Sequence, residues 1–394
     1  MHIMIATDQH PESLGGAQVS IRLQKKFLEK AGHQVTIVAP GMHREHPRDP
    51  CYVELPSFPI TFDREYALTR PGRRSDRTLD AEMARRGPVD VVHIQGDFWG
   101  AVIGLRFARR HGIPVVLTFH NNMEFGLRKT VPFPKLATKM LLSLEGRSLG
   151  GQMSLLRPDA WRYLNELALR ADAVTAPSNH FAALLRTKGV AQEIDVVRTG
   201  ADDDVIDDVL AGLDRDAKKP RPSLVWMGRM SHEKRILEFL QAVKRSGVNA
   251  EVRLYGQGLL LSKAREFVAK HKLRDRVVFV GKVPYRDALA AIANADALAQ
   301  TSIGFETQGM TVFEAAALGT TSIVCDPQIA AELPEGVYAE PENDSIDALA
   351  ATITRVVDST ASGELSRPSP SAAETLRQSA QTARMIEIYE RVTA

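Results

Sequence analysis

Cysteine is nearly absent: Cys51 and Cys325 are the only two in 394 residues. Two thiols so far apart in sequence offer neither a disulfide framework nor a thiolate metal cluster, which fits a reducing cytoplasm. Aromatic residues are sparse as well, at 6%. No basic stretch is interleaved with aromatics and no nucleic-acid-binding module is present, so no nucleic-acid partner is expected. No apolar run approaches the length that spans a bilayer. The opening MHIMIATDQH turns polar too soon for a secretory leader. Membrane contact, if made, is expected to be peripheral. The dinucleotide fingerprint G-x-G-x-x-G is also missing after the first strand.

What is present is an alternation of short apolar strands and amphipathic helices, over a length that suits two α/β domains with separate cores. Ile3–Ala6 reads as a buried strand, followed by a loop ending in Gly15-Gly16 and a helix over Ala17–Ala31. Val35–Ala39 is the next strand. Val89–Ile94 and Pro114–Phe119 follow, with a helix near Ala101–Arg110 between them, and Ala173–Ser178 closes the first half. The second half repeats the pattern from Ser223–Met227 through 251–255, 277–280, 297–299 and 322–324. Thr199–Pro222 reads as the connection, Ser359–Ala373 as a Ser/Pro/Ala-rich linker, and Glu374–Val392 as a final helix. The division expected is 1–200 with 374–394, and 201–373. Asp202-Asp203-Asp204 in the connection is better explained by helix capping and solvated charge than by a metal.

Thr301–Thr321, TSIGFETQGMTVFEAAALGTT, runs from a strand end through a glycine loop into a helix that Gly319 closes. Free N–H groups and the helix dipole at such a start favour a phosphate. Glu306 and Glu314 have seven residues between them, one in the loop and one a turn inside the helix. Carboxylates accept hydrogen bonds from hydroxyls and repel phosphate, so the stretch suits a ligand with sugar on both sides of a diphosphate. Two surface glutamates on a connecting loop satisfy the same spacing. Gly228-Arg229 follows the strand Ser223–Met227, and Lys234 is expected to open the next helix. Two such cations can neutralise a diphosphate without a metal ion. Gly15-Gly16 allows either a tight turn or close approach of the backbone to a ligand. His120, at a strand's carboxyl end, is either structural or part of a ligand site.

The net charge of +2 conceals an asymmetry. Between Arg64 and Arg170, eighteen Lys or Arg stand against ten Asp or Glu. Lys135, Lys139, Ser143 and Arg147 fall on one stripe of a helix over Lys135–Leu149, with Leu136, Met140 and Leu144 on another. Arg64, Arg70, Arg73, Arg74 and Arg77 make a basic loop. Such segments suit the interface of an anionic membrane, with Lys135, Lys139 and Arg147 facing it. A helix packed on its domain with a solvated basic face is the plainer alternative.

Taken together, E-x7-E from Glu306 to Glu314, the GRMSHEKRI element with Arg229 and Lys234, the Gly15-Gly16 loop and His120 in VVLTFHNN resemble the family 4 retaining glycosyltransferases. The four elements occur in the family's order and span nearly the whole chain. The resemblance implies the GT-B fold: two Rossmann-like doubly wound domains facing across a cleft, with a C-terminal helix crossing back to the first. It implies that Glu306 and His120 hold the donor sugar, and that Arg229, Lys234 and the backbone of Gly309, Met310 and Thr311 hold the diphosphate. Glu314 would hold the ribose, Val283 and its neighbour the base, and Gly16 and Gly228 would also bind the donor. Catalysis would need no metal and no cofactor beyond the nucleotide-sugar co-substrate. Within the family the chain resembles glycolipid-forming members, through the GGAQVSIRL helix, HIQGDFWGAVIGLRFARRHGIPVVLTFH and the basic segments. That implies a hexose moved from GDP-mannose or UDP-glucose to a membrane glycolipid, at the inner face of the cell membrane. A nucleotide-sugar epimerase of the same architecture and a nucleotide-sugar-binding protein are the alternatives.

Overall fold

Strands of near-continuous aliphatic sequence pair in parallel, so both sheet faces are buried. The computed structural model describes residues 1–13, 15–124, 133–149, 159–214, 219–334, 336–369 and 373–394; within 133–149 the side chains of Pro134, Ala137, Leu144, Glu145 and Arg147 lie outside the described set. The chain divides into Met1–Thr199 with Gln381–Ala394, and Gly200–Ala380.

In the first unit the strands are β1 (His2–Thr7), β2 (Gln34–Pro40), β3 (Tyr52–Leu55), a small hairpin β4 (Phe58–Pro59) and β5 (Ala67–Leu68), then β6 (Val91–Gln95), β7 (Val115–Thr118), β8 (Ala173–Ala176) and β9 (Asp195–Val196). The main sheet runs β3-β2-β1-β6-β7-β8-β9. Strand order reverses between β1 and β6, and ligands of open α/β sheets bind outside the carboxyl ends at such a point. Ile3, Met4 and Ile5 are fully buried, and Gly16–Lys30 packs Ile21, Leu23, Phe27 and Leu28 inward. The last helix, Gln378–Thr393, belongs from Gln381 onward to this unit. Its Met385, Ile388 and Tyr389 join the cluster of Ile3, Ile37 and Val116.

In the second unit β10 (Ser223–Met227), β11 (Glu251–Tyr255), β12 (Val277–Gly281), β13 (Ala297–Gln300), β14 (Thr321–Val324) and β15 (Tyr338–Ala339) are ordered β12-β11-β10-β13-β14-β15. The reversal lies between β10 and β13. The loops after β10, β11 and β12 are tied backbone to backbone. Gly228 N donates to Tyr255 O, Met230 N to Gln257 O and Gly256 N to Gly281 O. A Cβ on Gly256 would stand 2.0 Å from the Gly228 carbonyl oxygen, so only glycine permits this approach.

Several boundaries differ from the sequence reading. Thr199–Pro222 holds a helix, Asp203–Ala211, capped by the Asp202 carboxylate through Asp204 N. Asp203, Asp207 and Asp208 bond Ser379, Arg377 and Arg286. The expected linker at Ser359 is still helix: Ile346–Ser362 continues to a left-handed Gly363. Its Ser and Thr residues return hydroxyl bonds to the preceding turn, as Thr360 does to Val356, which composition conceals.

Candidate active site

Gly309 precedes the helix Met310–Ala317 with φ 78°, a left-handed conformation, and no side chain among the described residues caps that helix. Its first amides therefore keep the anion-binding potential of an uncapped start. The corresponding start in the first unit is already filled. Asp8, just past β1, accepts from Asp97 N at 2.5 Å, Phe98 N at 3.0 Å and Gly100 N at 2.8 Å, at the head of the helix Trp99–His111. Burial raises the Asp8 pKa to about 6 against these amides. Burial, with the charge of Asp8, takes Asp97 to about 7. A resident carboxylate leaves no room for a phosphate there, whereas the second unit presents the open helix end at its own strand reversal.

Lys234 and Glu306 meet at that reversal, from the loops after β10 and β13. The Lys234 ammonium donates directly to the Glu306 carboxylate, which also accepts from Ser302 Oγ at 2.9 Å. Thr301 locks both loops: its hydroxyl donates to Lys234 O at 2.6 Å and accepts from Trp226 Nε1 at 2.9 Å. Asp326 steadies the Glu306 loop by accepting from Gly304 N at 2.7 Å. Lys234 does not open a helix as expected. It lies in a 3₁₀ turn, His232–Lys234, and the helix Ile236–Ser246 begins after a left-handed Arg235. This break aims Lys234 toward Glu306.

Arg229 stands apart from this pair. Its side chain is 67% exposed and bonds Glu233 at 3.0 Å. Glu314 is buried inside the helix Met310–Ala317, and burial pushes its pKa up to about 7. The Tyr285 hydroxyl lies against it and partly offsets that rise without completing a well-formed hydrogen bond. Gly228, Val283, Met310 and Thr311 are all partly exposed around these loops.

In the first unit, Gly16 is exposed at the start of its helix, after Gly15 as N-cap. His120 lies two residues past β7. Burial takes its pKa down to about 4, so the imidazole is neutral near pH 7. Its Nε2 is 2.9 Å from Gln95 Oε1. Gln95 donates to Gln24, Gln24 donates to Tyr389 Oη at 3.2 Å, and Tyr389 Oη is 2.7 Å from His93 Nδ1. The sequence reading missed this chain, because its members come from one helix face, two strand ends and the last helix. The available signal was Gln24, polar with Ser20 on a helix face otherwise made of Ile21, Leu23, Phe27 and Leu28.

Of the proposed membrane face, Lys135 and Lys139 are exposed on the helix Pro134–Ser148, and Arg147 lies outside the described side chains. Leu136 and Met140 are not packed inward; they are 58% and 57% exposed, while Leu142 is buried. Phe133 beside this helix, and Phe58, Ile60 and Phe62 at the β4–β5 hairpin, are exposed too. No described helix is long and apolar enough to cross a membrane.

Residues 14–205 match the family model described as Glycosyltransferase Family 4, and residues 214–373 match Glycosyl transferases group 1. An alpha-monoglucosyldiacylglycerol synthase of Streptococcus pneumoniae is 27% identical over 82% of this chain and 70% of its own length. A phosphatidyl-myo-inositol mannosyltransferase of Mycolicibacterium smegmatis is 25% identical over 79% of this chain and 72% of its own. Among solved structures, Anabaena Alr3699/HepE in complex with UDP and glucose superposes with a TM-score of 0.70 at 16% identity, over 99% of this chain and 100% of that one. The sucrose-phosphate synthase of Thermosynechococcus elongatus gives 0.72 at 19% identity, over 99% and 98%. The chain belongs to the family 4 glycosyltransferases of the GT-B fold, a Family 4 domain followed by a group 1 domain.

Proposed function

We propose that the protein transfers a hexose, with retention of anomeric configuration, from a nucleoside-diphosphate sugar to a hydroxyl of a membrane glycolipid precursor. The observation that carries this reading is the uncapped helix start at Gly309 beside the Lys234–Glu306 pair, at the strand reversal of the second unit. A diphosphate meets backbone amides and an ammonium there, and Glu306 and Glu314 supply acceptors for hydroxyls on either side. Arg229 reaches the phosphates by exchanging Glu233 for them. His120, held neutral, serves the sugar as a hydrogen-bonding group without adding charge. The leaving diphosphate takes the acceptor's proton, and the protein supplies position and charge stabilisation.

The test is a donor screen with UDP-glucose and GDP-mannose. A transferase releases nucleoside diphosphate slowly without acceptor and faster with vesicles containing diacylglycerol, a monoglycosyl diacylglycerol or phosphatidylinositol. Interconversion of the sugar without release would identify an epimerase. Binding with no turnover on any of these would leave a sugar-nucleotide-binding protein.

The lipid acceptor draws support from the glycolipid-acting relatives and from the exposed apolar and basic side chains of the first unit. Apolar groups insert and Lys or Arg attract anionic headgroups, which supports a position on the inner face of the cell membrane. Binding to anionic vesicles should fall steeply between about 50 and about 500 mM salt, as the Debye length shrinks from roughly 14 Å to roughly 4 Å. Lys135→Gln with Lys139→Gln should weaken it severalfold without lowering Tm. Salt-independent binding, or none, would direct the search to soluble acceptors.

A further inference from the structure

Three segments of the first unit converge on one point at the carboxyl edge of its sheet. The loop after β1 brings His10, the loop after β2 brings His46, and β3 brings Glu54. One ligand atom from each lies within 4.8 Å of the other two. His46 Nε2 is 3.0 Å from Glu54 Oε1, and His10 Nε2 is 3.7 Å from the same oxygen. The His10 and His46 rings meet edge to face at 4.6 Å. His10 is only 3% exposed, yet its Nε2 is buried with no hydrogen-bond partner among the described residues. A buried polar nitrogen without a partner costs stability unless something completes it. Here it points toward a second imidazole and a carboxylate.

We propose that His10, His46 and Glu54 bind a divalent transition metal of the zinc class, separate from the donor chemistry of the second unit. Two imidazoles and a carboxylate are a donor set of zinc sites that retain a fourth position for water. The imidazoles disfavour Mg²⁺ and Ca²⁺, which take oxygen ligands. Bonds of about 2.0–2.2 Å to a central ion require ligand atoms about 3–3.5 Å apart, so the present separations close with small side-chain shifts.

The surroundings fit. His46 Nδ1 is 3.0 Å from the Arg44 carbonyl, which holds one ring proton there; when a metal displaces the proton Nε2 shares with Glu54, Nε2 is left as a lone pair, a common arrangement behind metal-bound histidine. Burial lowers the His10 pKa despite Glu54, which keeps its imidazole neutral and able to ligate. Burial opposes charge on His46, but the Arg44 carbonyl and Glu54 outweigh it and raise its pKa, so protons compete with the metal there as pH falls. One local bond opposes loading: Glu12 N donates to His10 Nδ1 at 3.2 Å, and metallation at Nε2 moves the ring proton to Nδ1 and opens that contact. The ion would tie the loop that leads to Gly15-Gly16 to the loop after β2 and to β3. Its role is to stiffen the loop beyond β1.

The experiment uses tag-free, chelator-stripped full-length protein titrated with ZnCl₂ or MgCl₂ by calorimetry at pH 7.5 and 5.5. The expected result is about one Zn²⁺ per chain, no Mg²⁺, and affinity at least roughly tenfold weaker at the lower pH. Zinc in excess should raise Tm by several degrees. His46→Ala and Glu54→Gln, both near the surface, should weaken Zn²⁺ at least tenfold and abolish the Tm rise, with chelated Tm close to wild type. Zinc binding unchanged in both variants, or a dissociation constant above about 1 mM in wild type, would overturn the site and leave a His46–Glu54 ion pair only. Donor hydrolysis in the chelated protein reports separately on the proposed transferase activity.

Discussion

Lys234→Ala is expected to lower kcat by about 10²–10³ while donor affinity changes by less than tenfold. A nucleoside-diphosphate sugar arrives with two negative charges, and another develops on the leaving phosphate as the glycosidic bond breaks. An ammonium fixed beside it is worth most at that moment. Lys234 is fixed: its carbonyl accepts from Thr301 and its ammonium holds Glu306. The Glu306 bond also means that the cation is already partly neutralised, which tempers ground-state attraction for the donor. Removing Lys234 has a second consequence, because Glu306 loses the ammonium that orients it. Lys234→Ala combined with Glu306→Ala should therefore lose less than the product of the single losses. Chelation with EDTA should leave turnover at 25 °C within about twofold, even where it lowers Tm through the His10 site, because Mg²⁺ needs carboxylates at the phosphates and both glutamates are assigned to hydroxyls. Near-normal turnover in Lys234→Ala would overturn the assignment. So would loss of activity in EDTA that Mg²⁺ restores.

How much of this was legible beforehand follows from what is local in sequence. The strands were readable because a parallel sheet buried on both faces demands uninterrupted aliphatic runs, as in Ile3–Ala6 and Ala297–Ala299. The helix at Met310 and its closing glycine were readable because left-handed positions favour Gly at 309 and 319. The pairing of Lys234 with Glu306 was not readable. It depends on Arg235 breaking the helix after a 3₁₀ turn, and on two loops meeting across the strand reversal. Nor could Asp8 be distinguished from any loop aspartate until the helix start at Trp99 was seen above it. The exposure of Leu136 and Met140 ran against their apolar character: a helical stripe shows which residues share a face, and not which way the face turns. The His10, His46 and Glu54 cluster left no spacing signature, since its members come from three separate segments.

The two glutamates should separate in their effects, with Glu306→Ala lowering kcat by about 10²-fold or more while leaving nucleoside diphosphate affinity unchanged or slightly improved. Glu306 occupies Lys234 in the unliganded protein, so deleting it frees the ammonium for phosphate. Glu314→Ala should instead weaken nucleoside diphosphate by about 10–100-fold, the value of a hydrogen bond to a charged acceptor at 1.5–3 kcal/mol. Glu314 carries a further signature. Burial raises its folded-state pKa to about 7, above the ordinary carboxylate range. A carboxyl group with a raised folded pKa costs stability as pH climbs from the unfolded value, near 4.3, and the full cost is reached above 7. Glu314→Gln should therefore raise the Tm of the unliganded protein at pH 8, with the gain shrinking toward zero as pH falls to 4.5. Glu306, paired with Lys234, should show no such gain on conversion to Gln. Calorimetric titration with the bare nucleoside diphosphate, alongside Tm at the two pH values, reads all of these outcomes. Equal affinity losses for Glu306→Ala and Glu314→Ala would mean that both carboxylates serve the nucleotide, and the sugar would need another anchor.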